Sequence, residues 1–376
     1  MANIFYINYS DNKCLYSLNI ESKQNKKLSI YPSEVLVMEY PWIYFTYPNN
    51  SYGNYYSIIR KNVLTDKEQV IWENEFYHYQ IDKEYIYIVG KGGSTHVIMK
   101  DGTYCVEFKN QVDSLNYYND AIYYRDISSR ESTDIYCWNA KNGTEKLILK
   151  NVLRYTINDS YIIYVKGEDN SIYKYCLNTQ KSTLLVSIEL DGRVDLSIVN
   201  NNLYYKINNQ LYSVDIDQEE RRIVCDLSTI VKKSAGIDFN IYRVTDGWIY
   251  YNMIVITEWG VSDNEYFCIG RMKVDGSKNE TFYDAVQTRR RVVWFKNNVI
   301  FVDANDGKLY KCEFNDLGYK VSMICSDNIA EFDIEKASGS IVYSASENDF
   351  SICIMNLDGT NKRELTKQKT DNFIVP

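Results

Sequence analysis

The strongest constraint on this chain is a motif written nine times along it. An aromatic strand pattern begins at Ile4-Phe5-Tyr6, Ile43-Tyr44-Phe45, Ile86-Tyr87-Ile88, Ile122-Tyr123-Tyr124, Ile162-Ile163-Tyr164, Leu203-Tyr204-Tyr205, Ile249-Tyr250-Tyr251, Ile300-Phe301-Val302 and Val342-Tyr343-Ser344, with successive copies 36 to 51 residues apart. Each is followed by a polar turn and a second strand such as Leu15-Tyr16, Ile135-Tyr136, Ile172-Tyr173, Leu211-Tyr212 or Leu309-Tyr310. A third, more polar strand follows corners such as Asp101-Gly102, Asn142-Gly143, Asp275-Gly276 and Asp358-Gly359, which favour positive φ and close hairpins. One further strand pattern precedes each copy after the first, at 34–40, 75–81, 112–118, 151–157, 193–199, 238–244, 290–295 and 329–335.

Four strands in about 40 to 45 residues is the repeat of a β-propeller blade. The leading strands read as continuous apolar runs, as expected of strands covered on both faces by neighbouring blades. The first copy lacks its leading strand, while residues 371–376, Asp-Asn-Phe-Ile-Val-Pro, read as a leading strand with no blade after it. We therefore expect an all-β fold of four-stranded antiparallel blades in one domain spanning 1–376, closed by strand 371–376 pairing with strand 4–9. Burial of Phe373, Ile374 and Val375 should outweigh the logarithmic entropy cost of the loop. Nine repeats predict nine blades. Eight, with one irregular region, is the fallback, because Tyr47-Pro48-Asn49-Asn50 and Gly92-Gly93 disturb the second and third copies.

Composition supports the all-β reading: 36 Tyr stand against 4 Pro and 2 His. The net charge of -8 disfavours a phosphate-binding surface, so nucleic acid is not an expected partner. The nine Cys are spread without a C-x-x-C pair and read as reduced core residues. No apolar run approaches the roughly 18 residues that span a bilayer, so membrane insertion is not expected. Met1-Ala2-Asn3 leads into a strand without the pattern of a signal peptide, which places the chain in the cytoplasm, or outside the cell if it is a piece of a longer exported protein.

The repeated Ile-Tyr-Tyr strand with its Leu-Tyr and Asp-Gly followers resembles a family of bacterial Tyr-rich β-propellers of unknown function, themselves likened to the propeller of low-density-lipoprotein-receptor-related proteins. The resemblance covers essentially the whole chain and implies a role in recognition. The Tyr-Trp-Thr-Asp signature of the receptor propellers is absent, Trp248-Ile249-Tyr250-Tyr251 being followed by Asn252, so their ligands do not carry over.

Motifs for chemistry are sparse. No Gly-x-Ser-x-Gly, P-loop, dinucleotide-binding glycine pattern or HExxH occurs, and no cofactor or metal is expected. His78 and His96 read as structural. Asp303-Ala304-Asn305-Asp306-Gly307 is one residue short of a calcium loop and reads as a hairpin corner, as does Lys91-Gly92-Gly93-Ser94. The seventh copy has the longest hairpin, carrying Glu258 and Trp259, and the next inter-repeat link carries Arg289 and Arg290. These four residues form the candidate binding patch; the bland reading is a longer hairpin with its charges solvated or paired. The expected function is a noncatalytic, monomeric scaffold recognising a protein or glycan through loops on one face. The alternative is a carbohydrate-active enzyme with carboxylates at the channel mouth.

Overall fold

The fold was obtained as a computed structural model, which describes residues 3–48, 56–81, 85–90, 94–102, 105–108, 112–127, 133–139, 141–158, 160–188, 195–218, 220–230, 236–256, 265–286, 292–303, 305–315, 317–346, 349–370 and 373–375. They form nine four-stranded antiparallel sheets, a β-propeller of nine blades. Besides strands there are two short 3-10 turns, Tyr9–Asp11 and Leu227–Thr229, and no described helix is long and apolar enough to cross a membrane. The second and third copies build complete sheets over 34–72 and 76–108, so the count is nine and the eight-blade alternative falls. The disturbing segments 49–55 and 91–93 lie outside the described residues.

Contacts group the chain into two compact units, Met1–Lys109 with Arg289–Pro376, and Asn110–Thr288. The first unit holds blades 1 to 3, 8 and 9. Blade 1 takes its strands from both chain ends: Phe373–Ile374 lies beside Asn3–Asn8, followed by Cys14–Asn19 and Asn25–Pro32. Phe5 stands opposite Ile374 and Tyr6 opposite Phe373, and the Tyr9 amide donates to the Lys369 carbonyl at 3.0 Å. The expected pairing of the two ends is therefore present, with residues 371, 372 and 376 outside the description. The second unit holds blades 4 to 7. Blade 6 runs Asp195–Val199, Asn202–Ile207, Gln210–Asp215, Arg221–Asp226; blade 7 runs Gly236–Thr245, Trp248–Ile256, Glu265–Lys273, Asn279–Val286. The long hairpin of blade 7 is a continued ladder of nine directly opposed pairs from Trp248–Lys273 to Ile256–Glu265.

The core explains why the leading copies do not alternate apolar with polar. Along Asn3–Asn8, Ile4 and Tyr6 pack with blade 9 residues such as Val342 and Ile352, while Phe5 and Ile7 pack with Ile43 and Phe45 of blade 2. In blade 6, Leu203, Tyr205 and Ile207 join blade 5, and Tyr204 joins blade 7. Both faces are apolar because both are buried. The tyrosines serve this packing. Tyr124–Tyr136, Tyr164–Tyr173 and Tyr205–Tyr212 are directly opposed cross-strand pairs stacked at centroid separations of 5.8, 5.5 and 5.1 Å. Such pairs contribute about 0.5–1.5 kcal/mol beyond their buried area. The turn before the second tyrosine often supplies an acceptor: Tyr16, Tyr173 and Tyr310 donate to Asp11, Asp169 and Asp306 at 2.6, 2.7 and 2.8 Å. Cys14, Cys268, Cys312, Cys325 and Cys353 are buried free thiols, as the core reading expected, and Cys137, Cys176 and Cys225 are half-buried.

The Asp-Gly corners tie blades to their predecessors. Gly276 has φ +72°, and a Cβ there would lie 1.8 Å from the Val224 carbonyl oxygen of blade 6. Backbone cannot yield as a flexible side chain does, so only glycine permits this approach.

Three outcomes are expected. Phe373→Ala removes a side chain that is 1 % exposed and should lower unfolding free energy by about 3–5 kcal/mol in urea titration. Gly276→Ala adds a clash to a left-handed backbone and should cost more than the roughly 1 kcal/mol of backbone strain alone. The carboxyls of Asp226, Asp275 and Asp358 are held below the ordinary range by hydrogen bonds from Ser228, Ser277 and Thr360. Depressed folded-state values mean that their stabilisation is complete above the unfolded carboxylate value of about 4 and is lost as pH falls through the folded ones. Asp275→Asn with Asp358→Asn keeps both turn acceptors and should flatten the acid limb of a Tm-against-pH curve; an unchanged limb would exclude these turns as its source.

Candidate functional site

Across blades 4 to 7 one third-strand position, facing the next blade, varies in side chain: Cys137, Lys174, Ser213 and Arg271 stand opposite Tyr123, Ile163, Tyr204 and Tyr250. In blade 5 the third strand places Lys174 directly opposite Ile163, and its Nζ crosses to the Ile216 carbonyl of blade 6 at 2.8 Å. Blade 8 repeats the pair as Lys311 opposite Ile300, with Lys311 8 % exposed and its Nζ 2.9 Å from Glu313. In blade 6 the same register holds Ser213 opposite Tyr204. The counterpart of Ile216 is Val274 of blade 7, since both amides donate back to the turn between the first two strands of their own blade, Ile216 to Asn201 and Val274 to Gly247. A serine is too short to bridge this distance, and a groove opens where the lysine would lie.

The groove measures about 430 Å³, within the range of pockets that accept small organic ligands. Its floor comes from one cross-strand row of blade 6, Ser197, Tyr204, Ser213 and Arg222 each opposite the next, and residues opposed in this way share a face. Of these, Tyr204, Ser213 and Arg222 line the groove. Two residues along, Asn202 stands opposite Asp215, whose amide donates to the Glu220 carbonyl. The facing wall is the blade 7 turn Val244–Gly247, with Val274.

The electrostatics are uneven. Arg222 pairs with Glu220 at 2.5 Å. Asp215 Oδ1 accepts the amides of Asp217 and Gln218, each at 2.9 Å. Asp246, at φ +52° in the facing turn, makes no hydrogen bond or ion pair with any described residue. Tyr204 and Ser213 are 4 % and 8 % exposed, and neither hydroxyl has a partner among the described residues. Burial alone raises the Tyr204 phenol above its ordinary value, with no hydrogen bond to offset it. The tyrosine one position on behaves differently: Arg221 lies 4.3 Å over the Tyr212 ring and partly counters the burial that pushes Tyr205 up to about 12. A second groove of about 290 Å³ adjoins, bordered by Tyr204, Arg154, Lys206, Asp238 and Asn240.

Among the described residues no three His, Cys, Asp or Glu side chains converge as metal ligands would. The Asp303–Gly307 segment is a hairpin corner, as its ordinary reading held. Gly307 donates to the Asp303 carbonyl at 2.8 Å, Asp303 accepts the Asn305 amide, and Asp306 accepts the Lys308 amide and the Tyr310 hydroxyl. His96 Nε2 lies 2.9 Å from Ser94 Oγ, its ring 4.6 Å from that of Trp72, and burial lowers its pKa; the His78 side chain is not described. Glu258, Trp259, Arg289 and Arg290, the patch expected from sequence, lie outside the described residues. The groove was missed because Tyr204 and Ser213 look like ordinary strand residues. The position after the tyrosine varies along the chain, Ser17, Cys137, Lys174, Ser213 and Lys311, so Ser213 does not stand out in the sequence.

No protein-family model and no curated protein matches the chain. Among solved structures it is similar to the tricorn protease at 12% identity, over 99% of this chain and 46% of that one, with a TM-score of 0.42. It is similar to apo AztD from Citrobacter koseri at 12% identity, over 86% and 94%, with a TM-score of 0.45. A structure of the nidogen/laminin complex matches at 12% identity over 59% and 92%, with a TM-score of 0.32. The chain thus spans under half of the tricorn protease chain.

Hydroxyls without protein partners carry no folding energy that their removal forfeits. Tyr204→Phe should leave unfolding free energy within about 0.5 kcal/mol of the parent, whereas Tyr251→Phe, which loses a 2.9 Å bond to Asn279, should cost about 1 kcal/mol. Equal losses in the two variants would show that Tyr204 is tied into the fold.

Proposed function

We propose that the protein is a noncatalytic binding module and that the groove between blades 6 and 7 takes a glycan. The observation that carries this reading is the polar groove itself, with the Tyr204 and Ser213 hydroxyls on its floor where blade 5 has the bridging Lys174. Saccharide hydroxyls both donate and accept, and the lining offers both capacities: hydroxyls from Tyr204 and Ser213, amides from Asn200, Asn202 and Gln218, and carboxylate acceptors from Asp215 and Asp246. The rim of a propeller blade presents such turns on a rigid sheet, the usual arrangement for recognition. Membership in the bacterial Tyr-rich propellers is part of the same proposal.

Glycan-array binding by the parent and by Ser213→Lys tests it. The lysine is the side chain that blades 5 and 8 use, so the variant should stay folded, with an unchanged circular dichroism spectrum, and lose binding. Full binding by Ser213→Lys would move the site elsewhere. Release of new reducing ends from a bound glycan would instead make the protein an enzyme.

A further inference from the structure

We infer that the groove selects a protonated amine, so that the glycan it takes is an amino sugar with a free amino group. This rests on the glycan reading above and adds a charge to it. The carboxylates on the groove are Asp215, Glu220 and Asp246, and the cation among its lining residues is Arg222. Arg222 is held by Glu220, so that pair is neutral. Asp215 Oδ1 caps a turn, and its carboxylate joins Glu220 in raising the Arg222 guanidinium, whereas Asp246 has no cationic partner among the described residues. The nearest other cation is Lys273, whose Nζ lies 4.0 Å from the position a Cβ would take on Gly247. It is held 4.2 Å over the Trp248 ring and helps keep the Asp275 carboxyl low, outside the lining of the groove. Asp246 therefore faces the cavity without a cationic partner among the described residues.

Among the described residues no three acids, His or Cys converge at metal-ligand spacing, so the groove is not read as a metal site. The floor adds the second requirement. The Tyr204 and Ser213 side chains are more than nine-tenths buried, and their hydroxyls, without a partner among the described residues, open onto the same groove as the exposed Asp246 carboxylate. An ammonium group on a polyol ring meets both. A charge-assisted hydrogen bond to carboxylate is roughly twice as strong as a neutral one, which sets the expected selectivity at about tenfold.

The test compares a glucosamine tetramer, its N-acetylated counterpart, a neutral glucose tetramer and putrescine by calorimetry at about pH 6, below the ordinary amine range. The glucosamine tetramer should bind about tenfold more tightly than the acetylated one, and added salt should narrow the gap. Asp246→Asn should abolish the preference, bringing the glucosamine tetramer to the affinity of the acetylated one. Equal affinity for the amino and acetylated tetramers, or a preference that survives Asp246→Asn, overturns the inference and leaves the glycan reading standing. Putrescine binding as tightly as the glucosamine tetramer overturns the sugar component. Binding of none of the probes, together with a blank glycan array, removes both readings.

Discussion

Everything in this fold depends on strands that are buried on both faces. The second strand of a blade sends alternate side chains into two different cores, Ile4 and Tyr6 towards blade 9 and Phe5 and Ile7 towards blade 2. No single sheet can satisfy such a strand, because one of its apolar faces would remain in water, at about 1.5–3 kcal/mol for each large side chain. Repetition follows from that requirement, and so does the use of both chain ends in one blade. Asn3–Asn8 would have an open edge without Phe373–Ile374, and an open apolar edge invites pairing with other chains.

This is also why the architecture was legible in the sequence. A doubly buried strand cannot alternate, so Ile-Tyr-Tyr runs punctuated by Asp-Gly corners report the blade directly. The first-strand patterns at 112–118, 151–157 and 329–335 correspond to strands Val112–Tyr118, Val152–Ile157 and Ile329–Ile334. The count of nine was less legible, because Tyr47-Pro48 and Gly92-Gly93 read as breaks. Pro48 in fact ends a regular strand, opposite Tyr56, where a missing amide costs the ladder little.

The groove was illegible for the opposite reason. Its floor residues are unexceptional one at a time, and only register shows that Ser213 occupies the place of Lys174 and Lys311. Cross-strand position depends on the turns and bulges that precede each pair; blade 5, for example, shifts register between Ile172 and Tyr173. A reader of the linear chain sees Tyr-Ser beside Tyr-Lys and takes the difference for surface variation. Length and charge drew the eye to the blade 7 hairpin instead, since an outsized loop breaks a repeat more visibly than a shortened side chain.

The short side chain of Ser213 is nonetheless the more informative feature, because blade 5 places the bridging Lys174 in the same register. The lysine solution was available to this chain, which uses it between blades 5 and 6 to make a bond to the Ile216 carbonyl. A hydrogen bond from a charged group contributes about 1.5–3 kcal/mol, so giving one up lowers stability unless something else is gained. Nor is the vacated space refilled with apolar bulk, the simplest repair at a blade interface. It is lined by hydroxyls, amides and carboxylates, several without protein partners among the described residues. Blades 6 and 7 are still bonded to each other beside the groove, by Asn200 Nδ2 to the Val244 carbonyl at 2.9 Å and by Lys206 to the Ile237 carbonyl, so the open polar space is not a failure of blade packing. In the proposed reading, the Asp246 carboxylate on that space sets the charge of its ligand.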